Sequence, residues 1–258
     1  MGEKVLVSWS GGKDSAMAFW EIQKAGGYDV AALLTTVTET YDRVSMHGVR
    51  RALLAEQARA VGVPLHEVFI PPEASNSVYE VRMAEALRTY SERGVRSIVF
   101  GDIFLEDVRQ YREANLARIG MRGLFPLWGR DTRELMRAFL AAGFRAIVVC
   151  VDLKVLSPAF AGRMLDESFL RDLPLTVDPC GENGEFHSFV FDGPIFRTPV
   201  RFLTGDVVIR GEFCFCDLLP RALEGEETKW ESPLREGLSQ TQAEALRASA
   251  SGSRSRGA

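Results

Sequence analysis

The chain has 258 residues, of which 46% are hydrophobic, and its formal net charge is −4. This length and apolar content can supply the core of one large domain or of two smaller ones. A sequence pI near 5.6 gives no general attraction to nucleic acid or to an anionic membrane. No run approaches the ~18 apolar residues of a membrane span, and the first eight residues lack the form of a signal peptide. We therefore expect a soluble, cytoplasmic protein.

The chain begins with an apolar strand, a glycine turn and the start of a helix. Residues 5–7 are Val, Leu and Val, which is typical of a buried parallel strand, and apolar residues then recur at helical spacing. Glycines let the backbone approach a ligand, and a helix N-terminus presents unpaired N–H groups to an anion. We predict a phosphate-binding loop and a helix over residues 13–25. The alternative is a glycine turn that only begins a helix. The loop residues are Ser10, Gly11, Gly12, Lys13, Asp14 and Ser15.

The side chains of this loop have distinct predicted roles. Lys13 adds a full positive charge for phosphate oxygens, and the two serine hydroxyls can donate to them. Asp14 is a candidate ligand for Mg²⁺. A Walker A loop is excluded because its two glycines are separated by four residues, whereas here Gly, Gly and Lys are contiguous.

Strand and helix patterns then alternate, which indicates a doubly wound parallel sheet. A polar loop without periodicity spans residues 38–48. A capping box of Ser77 and Glu80 is expected to open one helix. The predicted strands cover residues 29–36, 65–70, 95–100 and 124–128, and the helices cover residues 49–61, 77–91 and 105–119.

Further candidate site residues follow two of these strands. In an open α/β sheet, ligands lie beyond the carboxyl ends of the strands. Arg43 and His47 lie in the loop after the second strand, and Gly101 and Asp102 end the fourth. Gly101 would allow close backbone approach, and Asp102 would place a carboxylate near ribose or Mg²⁺. Each residue has an ordinary alternative as a loop cap or turn residue.

The rest of the chain predicts a second, smaller α/β domain. It should contain a helix capped by Asp131 and Glu134, a strand over 146–151, a helix near 165–170, and strands at 207–209 and 213–215. Cys214 and Cys216 alternate along the last strand, which favours packing over a metal site. The predicted divisions are a nucleotide domain over 1–126, a smaller acceptor-binding domain over 127–223 and a polar, disordered tail over 224–258.

A second informative stretch spans residues 178–189. It places Glu182, Glu185 and His187 close together with two glycines, which is typical of a loop with chemical function. His187 is a candidate proton carrier because the ordinary pKa of histidine lies near neutrality. A surface hairpin is the alternative, since Asn183-Gly184 is a favoured turn pair.

Together the two stretches resemble a known family. Residues 10–15 are similar to the pyrophosphate loop, or PP-loop, of the N-type ATP pyrophosphatases, a group of adenine nucleotide α-hydrolases. Residues 181–187 and 192–194 resemble the Gly-Glu-x-Gly-Glu signature of the diphthine–ammonia ligase family, and residues 43–48, 57–58 and 100–103 resemble its first domain. The resemblance covers about residues 4–200. Many relatives have Tyr-Glu-Thr where this chain has Phe, His and Ser at 186–188.

The resemblance implies an ATP-dependent amide ligase that adenylates a carboxylate, transfers ammonia to it and releases AMP and pyrophosphate. ATP, Mg²⁺ and ammonia are the implied small partners, and a carboxylate, on a protein, is the implied acceptor. Glu182 and Glu185 would bind the acceptor or guide ammonia. The residues expected to contact ATP or its Mg²⁺ are Ser10, Gly11, Gly12, Lys13, Asp14, Ser15, Arg43, His47, Gly101 and Asp102.

Two other functions stay open at this point. One is a tRNA-modifying enzyme of the same fold that adenylates a base, and the other is an adenine-nucleotide sensor without catalysis. No glutaminase motif is evident, so free ammonia is the expected nitrogen source. A homo-oligomer is compatible with the sequence. Membrane and nucleic-acid partners are not expected.

Overall fold

The computed structural model describes residues 2–39, 43–44 and 48–221. His47 and the predicted tail over 224–258 lie outside the described residues. Within those residues the chain forms two β-sheets with helices packed on them. No described helix is long and apolar enough to cross a lipid bilayer.

The first sheet is mainly parallel and confirms the predicted α/β class. Its parallel strands lie in the order β4-β2-β1-β5-β6, and β3 pairs antiparallel with the end of β2. The chain winds outward in one direction from β1 and in the other from β5, so the switch point lies between these two strands. The strands are β1 (Glu3–Ser8), β2 (Tyr28–Thr38), β3 (Arg43–Val44), β4 (Leu65–Ile70), β5 (Ser97–Val99) and β6 (Arg122–Leu124).

Helices connect these strands and cover both faces of the sheet. They are α1 (Lys13–Ala25), α2 (Arg51–Val61), α3 (Asn76–Glu92) and α4 (Glu106–Ala117). The first helix has the predicted bounds. Gly26, at a positive φ of 68°, follows its last residue, because glycine reaches this backbone region without the penalty of a Cβ.

Three details differ from the sequence-based predictions. Ser75, not Ser77, caps α3, because its extended backbone lets its hydroxyl accept a hydrogen bond from the Val78 N–H at 3.4 Å. The strand predicted over 124–128 ends at Leu124, where pairing with β5 stops, and residue 125 begins a turn. The two-residue strand β3 was not predicted, since two residues carry no periodic signal.

The second sheet is antiparallel, with the strand order β8-β7-β10-β9. Asp131 caps the preceding helix as predicted, accepting from the Glu134 N–H at 2.8 Å. The next helix begins at residue 167, slightly later than expected, because Asp166 caps it. The elements are α5 (Thr132–Ala141), β7 (Arg145–Asp152), a 3₁₀ turn (Pro158–Phe160), α6 (Glu167–Asp172), β8 (Phe186–Asp192), β9 (Phe202–Arg210) and β10 (Phe213–Pro220).

One hydrophobic core joins the two sheets. Val7 and Phe19 of the first half and Phe139 and Phe189 of the second belong to the same buried cluster. The other face of the first sheet has a separate core around residues such as Ile98. The second sheet therefore packs over the α1 and α2 face, which brings β8 to the start of α1. The division into domains at residues 126 and 127 stays a prediction.

Candidate functional site

The glycine loop lies at the switch point, between the end of β1 and the start of α1. Gly11 has φ +79°, a conformation that favours glycine, and a Cβ there would lie 2.6 Å from the Gln57 Oε1. The Gly12 N–H donates to the Ser10 Oγ at 3.2 Å, and the Ser15 Oγ donates to the Gly12 carbonyl at 2.9 Å. The predicted loop thus has the backbone geometry of an anion site at a helix N-terminus.

Strand β8 of the second sheet completes this site. The Lys13 N–H donates to the Ser188 Oγ at 3.2 Å, and the Val190 N–H donates to the Gly11 carbonyl at 2.9 Å. The Lys13 Nζ lies 5.4 Å from the centre of the Phe186 ring. Residues about 175 positions apart therefore form one site.

Lys13 and Asp14 form an ion pair at the start of α1. The Lys13 Nζ lies 2.9 and 2.7 Å from the two carboxylate oxygens. Burial by itself lowers the pKa of Lys13, but the adjacent Asp14 carboxylate outweighs it and raises the pKa, so the ammonium stays charged. The Asp14 side chain is 31% exposed. It therefore keeps access to a ligand while it holds the lysine.

The second predicted stretch forms a loop only over residues 178–185, because residues 186–192 form β8. Two carboxylates of this loop hold it together through hydrogen bonds. Asp178 accepts from the N–H groups of Cys180 and Glu182 at 3.1 and 2.9 Å. Glu185 is buried and accepts from the Asp178 N–H at 3.1 Å and from the Asn183 N–H and Nδ2 at 3.0 and 2.9 Å. These contacts fix the shape of the loop, and the predicted catalytic role of Glu185 stays a prediction.

Glu182 points out of that loop toward the first sheet. Its carboxylate accepts from the Ile103 N–H at 2.7 Å, just beyond the carboxyl end of β5. Burial, followed by the negative charge of Asp14, raises the pKa of Glu182 to about 7; the hydrogen bond from Ile103 and the charge of Lys13 oppose this shift. A carboxyl group with this pKa can take up or release a proton near neutral pH.

Gly101 and Asp102 lie beside the loop, but their contacts differ from the predicted ones. A Cβ on Gly101 would lie 2.7 Å from the Asp14 backbone carbonyl carbon, so the close approach is to the loop itself. Asp102 is paired with Arg112, with Nε–Oδ2 and Nη2–Oδ1 distances of 2.9 and 3.2 Å. This arginine competes with any cation for Asp102.

The structure directs two other predicted site residues away from the glycine loop. Arg43 pairs with Asp217 of β10 at 3.0 Å. His187 lies between Phe186 and Ser188, both of which face the loop, so strand alternation places its side chain on the opposite face of β8. The proposed roles of both residues stay predictions.

Sequence reasoning assigned no role to three residues that shape the site, although Gln57 lies in a stretch that resembles the family. Ser188 and Asp178 gave no separate signal, because their roles depend on which segments meet in space. Gln57 did give one, because it is a polar residue on the buried stripe of α2 between Leu53, Leu54 and Val61. A fully buried amide is expected to have specific hydrogen-bond partners.

A glycine loop that opens the first helix, at the switch point of a doubly wound sheet, is the arrangement typical of phosphate-binding α/β proteins. Residues 3–123 match the family model described as the diphthamide synthase N-terminal domain, and residues 131–219 match the one for its C-terminal domain. The chain belongs to the diphthamide synthase family. The resemblance predicted from the two motifs is confirmed.

Curated relatives carry the name diphthine–ammonia ligase. The chain is 28% identical over 235 residues to the protein of Homo sapiens, covering 82% of this chain and 87% of the relative. It is 25% identical over 249 residues to the protein of Schizosaccharomyces pombe, covering 88% of this chain but 41% of that longer relative. The protein of Rattus norvegicus is 26% identical over 244 residues, with 86% and 91% covered.

Proposed function

We propose that this protein is an ATP-dependent ligase that adenylates a carboxylate and transfers ammonia to it, releasing AMP and pyrophosphate. Family membership and the names of the relatives support the ligase activity. The observation that carries the proposal is the meeting of the phosphate loop, Lys13 and Glu182 at the switch point of the sheet. By analogy with the relatives, the acceptor is a diphthine-type carboxylate on a protein.

The phosphate loop would stabilise the leaving pyrophosphate. The N–H groups at the start of α1 and the charged Lys13 ammonium are fixed in place before ATP binds, so they can stabilise negative charge as it develops on the leaving group. Asp14 holds Lys13 through both carboxylate oxygens. ATP phosphates would share the ammonium with Asp14.

Asp14 fits a Mg²⁺ ion better than Asp102 does. Mg²⁺ needs only one or two carboxylates when substrate phosphates and water complete its coordination, and among the described residues there is no cluster of three metal-binding side chains. Both carboxylates are paired with a cation, Asp14 with Lys13 and Asp102 with Arg112, but Asp14 is 31% exposed and Asp102 only 12%. A bound Mg²⁺ would neutralise part of the phosphate charge.

Glu182 would serve as the base in the second half-reaction. The ammonia nitrogen attacks the carbonyl carbon of the acyl-adenylate, a C–N bond forms, and the C–O bond to AMP breaks. The nitrogen must then lose one proton, which the Glu182 carboxylate can accept. A pKa of about 7 leaves much of this residue deprotonated at neutral pH.

The products of ATP cleavage test this proposal. Purified protein would be incubated with ATP labelled at the α-phosphate, Mg²⁺ and ¹⁵N-ammonium, with and without extract of its own source. We expect AMP and pyrophosphate, with ¹⁵N entering a protein, only when extract is present. Lys13→Met should abolish the turnover. ADP and phosphate as products, or unchanged turnover in Lys13→Met, would contradict the proposal.

A further inference from the structure

Gln57 is a fully buried amide beneath the phosphate loop. Its Nε2 donates to the carbonyls of Gly11 and Val190 at 2.9 and 2.5 Å, and its Oε1 accepts from the Trp9 Nε1 at 2.9 Å. The orientation of the amide follows from its partners, since an indole N–H only donates and the carbonyls only accept. Gln57 therefore connects α2, the phosphate loop and β8 through one side chain.

The bond to Gly11 fixes the direction of one peptide plane. In a trans peptide the C=O and the following N–H point in opposite directions. The Gly11 carbonyl is held by Gln57 and by the Val190 N–H, so the Gly12 N–H points the other way, toward the Ser10 Oγ at 3.2 Å. This is the side of the loop on which we place the phosphates.

Without the Gln57 amide, only the Val190 N–H would hold the Gly11 carbonyl, and this peptide could turn over more easily. It lies between two glycines, and glycine tolerates both signs of φ, so backbone sterics alone do not select one orientation. A turned peptide would present a carbonyl oxygen where the N–H belongs. An anion would then meet a negative dipole end in place of a donor.

We propose that Gln57 is a positioning residue that locks the Gly11–Gly12 peptide with its N–H toward the pyrophosphate portion of ATP. The inference rests on the proposed function, because it assumes that the loop binds phosphate. It adds that the binding geometry depends on an amide of α2 that does not itself touch the ligand.

Gln57→Glu and Gln57→Met test the lock in complementary ways. Gln57→Glu keeps the shape of the side chain and the acceptor for Trp9 but cannot donate to both carbonyls. Gln57→Met removes the donors without placing a carboxyl group in the interior. Affinities for three probes would be measured by calorimetry: Mg²⁺ with α,β-methylene ATP, pyrophosphate, and adenosine. We expect both variants to bind the first two probes about tenfold more weakly, as for one lost hydrogen bond. Adenosine affinity should not change.

Leu53→Ala is the matched control, because Leu53 is a fully buried apolar residue on the same helix. It should lower the melting temperature and leave all three affinities unchanged. Wild-type affinity for pyrophosphate in either folded Gln57 variant would overturn the lock. An equal loss for adenosine would also overturn it, since that indicates general distortion. Failure of the wild-type protein to bind any probe would instead contradict the proposed function.

Discussion

At the scale of single residues, the most informative feature is the contrast between Glu182 and Glu185. The two residues lie three positions apart, and sequence reasoning gave them one shared role. Three N–H donors surround the carboxylate of Glu185, whereas Glu182 has one described donor, in the loop after β5, and a pKa raised to about 7. We therefore expect Glu182 to transfer a proton in the reaction and Glu185 to stabilise the loop.

Glu182→Gln should lower the rate of amide formation by about a hundredfold or more, the usual contribution of a general base. The carboxylate is the active form, so the wild-type rate should rise with pH through about 7. The variant should lose this rise. The pH profile of the rate, measured with saturating ATP and ammonia, checks both expectations.

Glu167→Gln on the exposed side of α6 is the control for that experiment, because it removes the same charge from an exposed position. Its profile should match the wild type. A rise through pH 7 that persists in Glu182→Gln would assign the base to another group.

At the scale of elements, the site depends on how closely the end of β5 approaches the start of α1. Gly101 follows β5, and the backbone of Asp14 leaves no room for a Cβ beside it. The two nearest atoms are the carbonyl carbon and oxygen of Asp14, and backbone atoms cannot move aside as the end of a flexible side chain would. The segment after β5 and the start of α1 therefore meet through a glycine.

Gly101→Ala should push the first turn of α1 away from β5. We expect a loss of about 1–3 kcal/mol in the free energy of unfolding, as for other overpacked sites, together with weaker ATP binding. Denaturant titration and calorimetry measure the two effects.

Gly205→Ala is the matched control, since the nearest atoms would lie 3.4 Å from the new Cβ, an ordinary contact. Its stability should stay within about 0.5 kcal/mol of the wild type. If Gly101→Ala were as well tolerated as Gly205→Ala, the tight junction would not be needed for the site.

At the scale of the whole molecule, a buried ion cluster ties the two sheets together. Asp217 of β10 is 8% exposed and lies 3.0 Å from Arg43 and 2.7 Å from Arg50, which flank α2 and the first sheet. Burial by itself raises the pKa of Asp217, but hydrogen bonds and charge from the two guanidinium groups outweigh it and lower the pKa below its ordinary value. The cluster thus holds α2, with Gln57, against the second sheet.

Asp217→Asn should cost about 3–5 kcal/mol in unfolding free energy, because it leaves two partly buried arginines without their carboxylate.

Since the pKa of Asp217 is lowered in the folded state, its stabilisation is complete above the pKa of the unfolded chain and is lost as pH falls through the pKa of the folded state. The wild type should therefore lose more stability than the variant on acidification below about pH 4. Thermal unfolding measured between pH 7 and pH 3 checks this. If both proteins lost the same stability on acidification, Asp217 would not be the cause of the loss.

The sequence by itself determined the class of the fold and the bounds of α1, and it predicted the position of the phosphate loop. The last two features are local, since helical periodicity and the glycine turn lie within residues 5–25 and follow from neighbours along the chain. The class of the fold follows from the alternation of strands and helices over a longer stretch. The family resemblance depended, in addition to the glycine loop, on the second motif at residues 181–187 and on the shorter matches in the first domain. Local signals also misplaced details, such as the cap at Ser75, where two nearby serines compete for one role.

Only the tertiary structure decided which of the predicted residues meet. Ser188 contacts Lys13, Glu182 reaches Ile103, and Arg43 turns to Asp217 because two sheets distant in sequence pack on one core. The distinction between Glu182 and Glu185 has the same origin. Burial and neighbouring charge set a pKa, and both are properties of the folded surroundings, which the spacing of two carboxylates in a sequence does not contain.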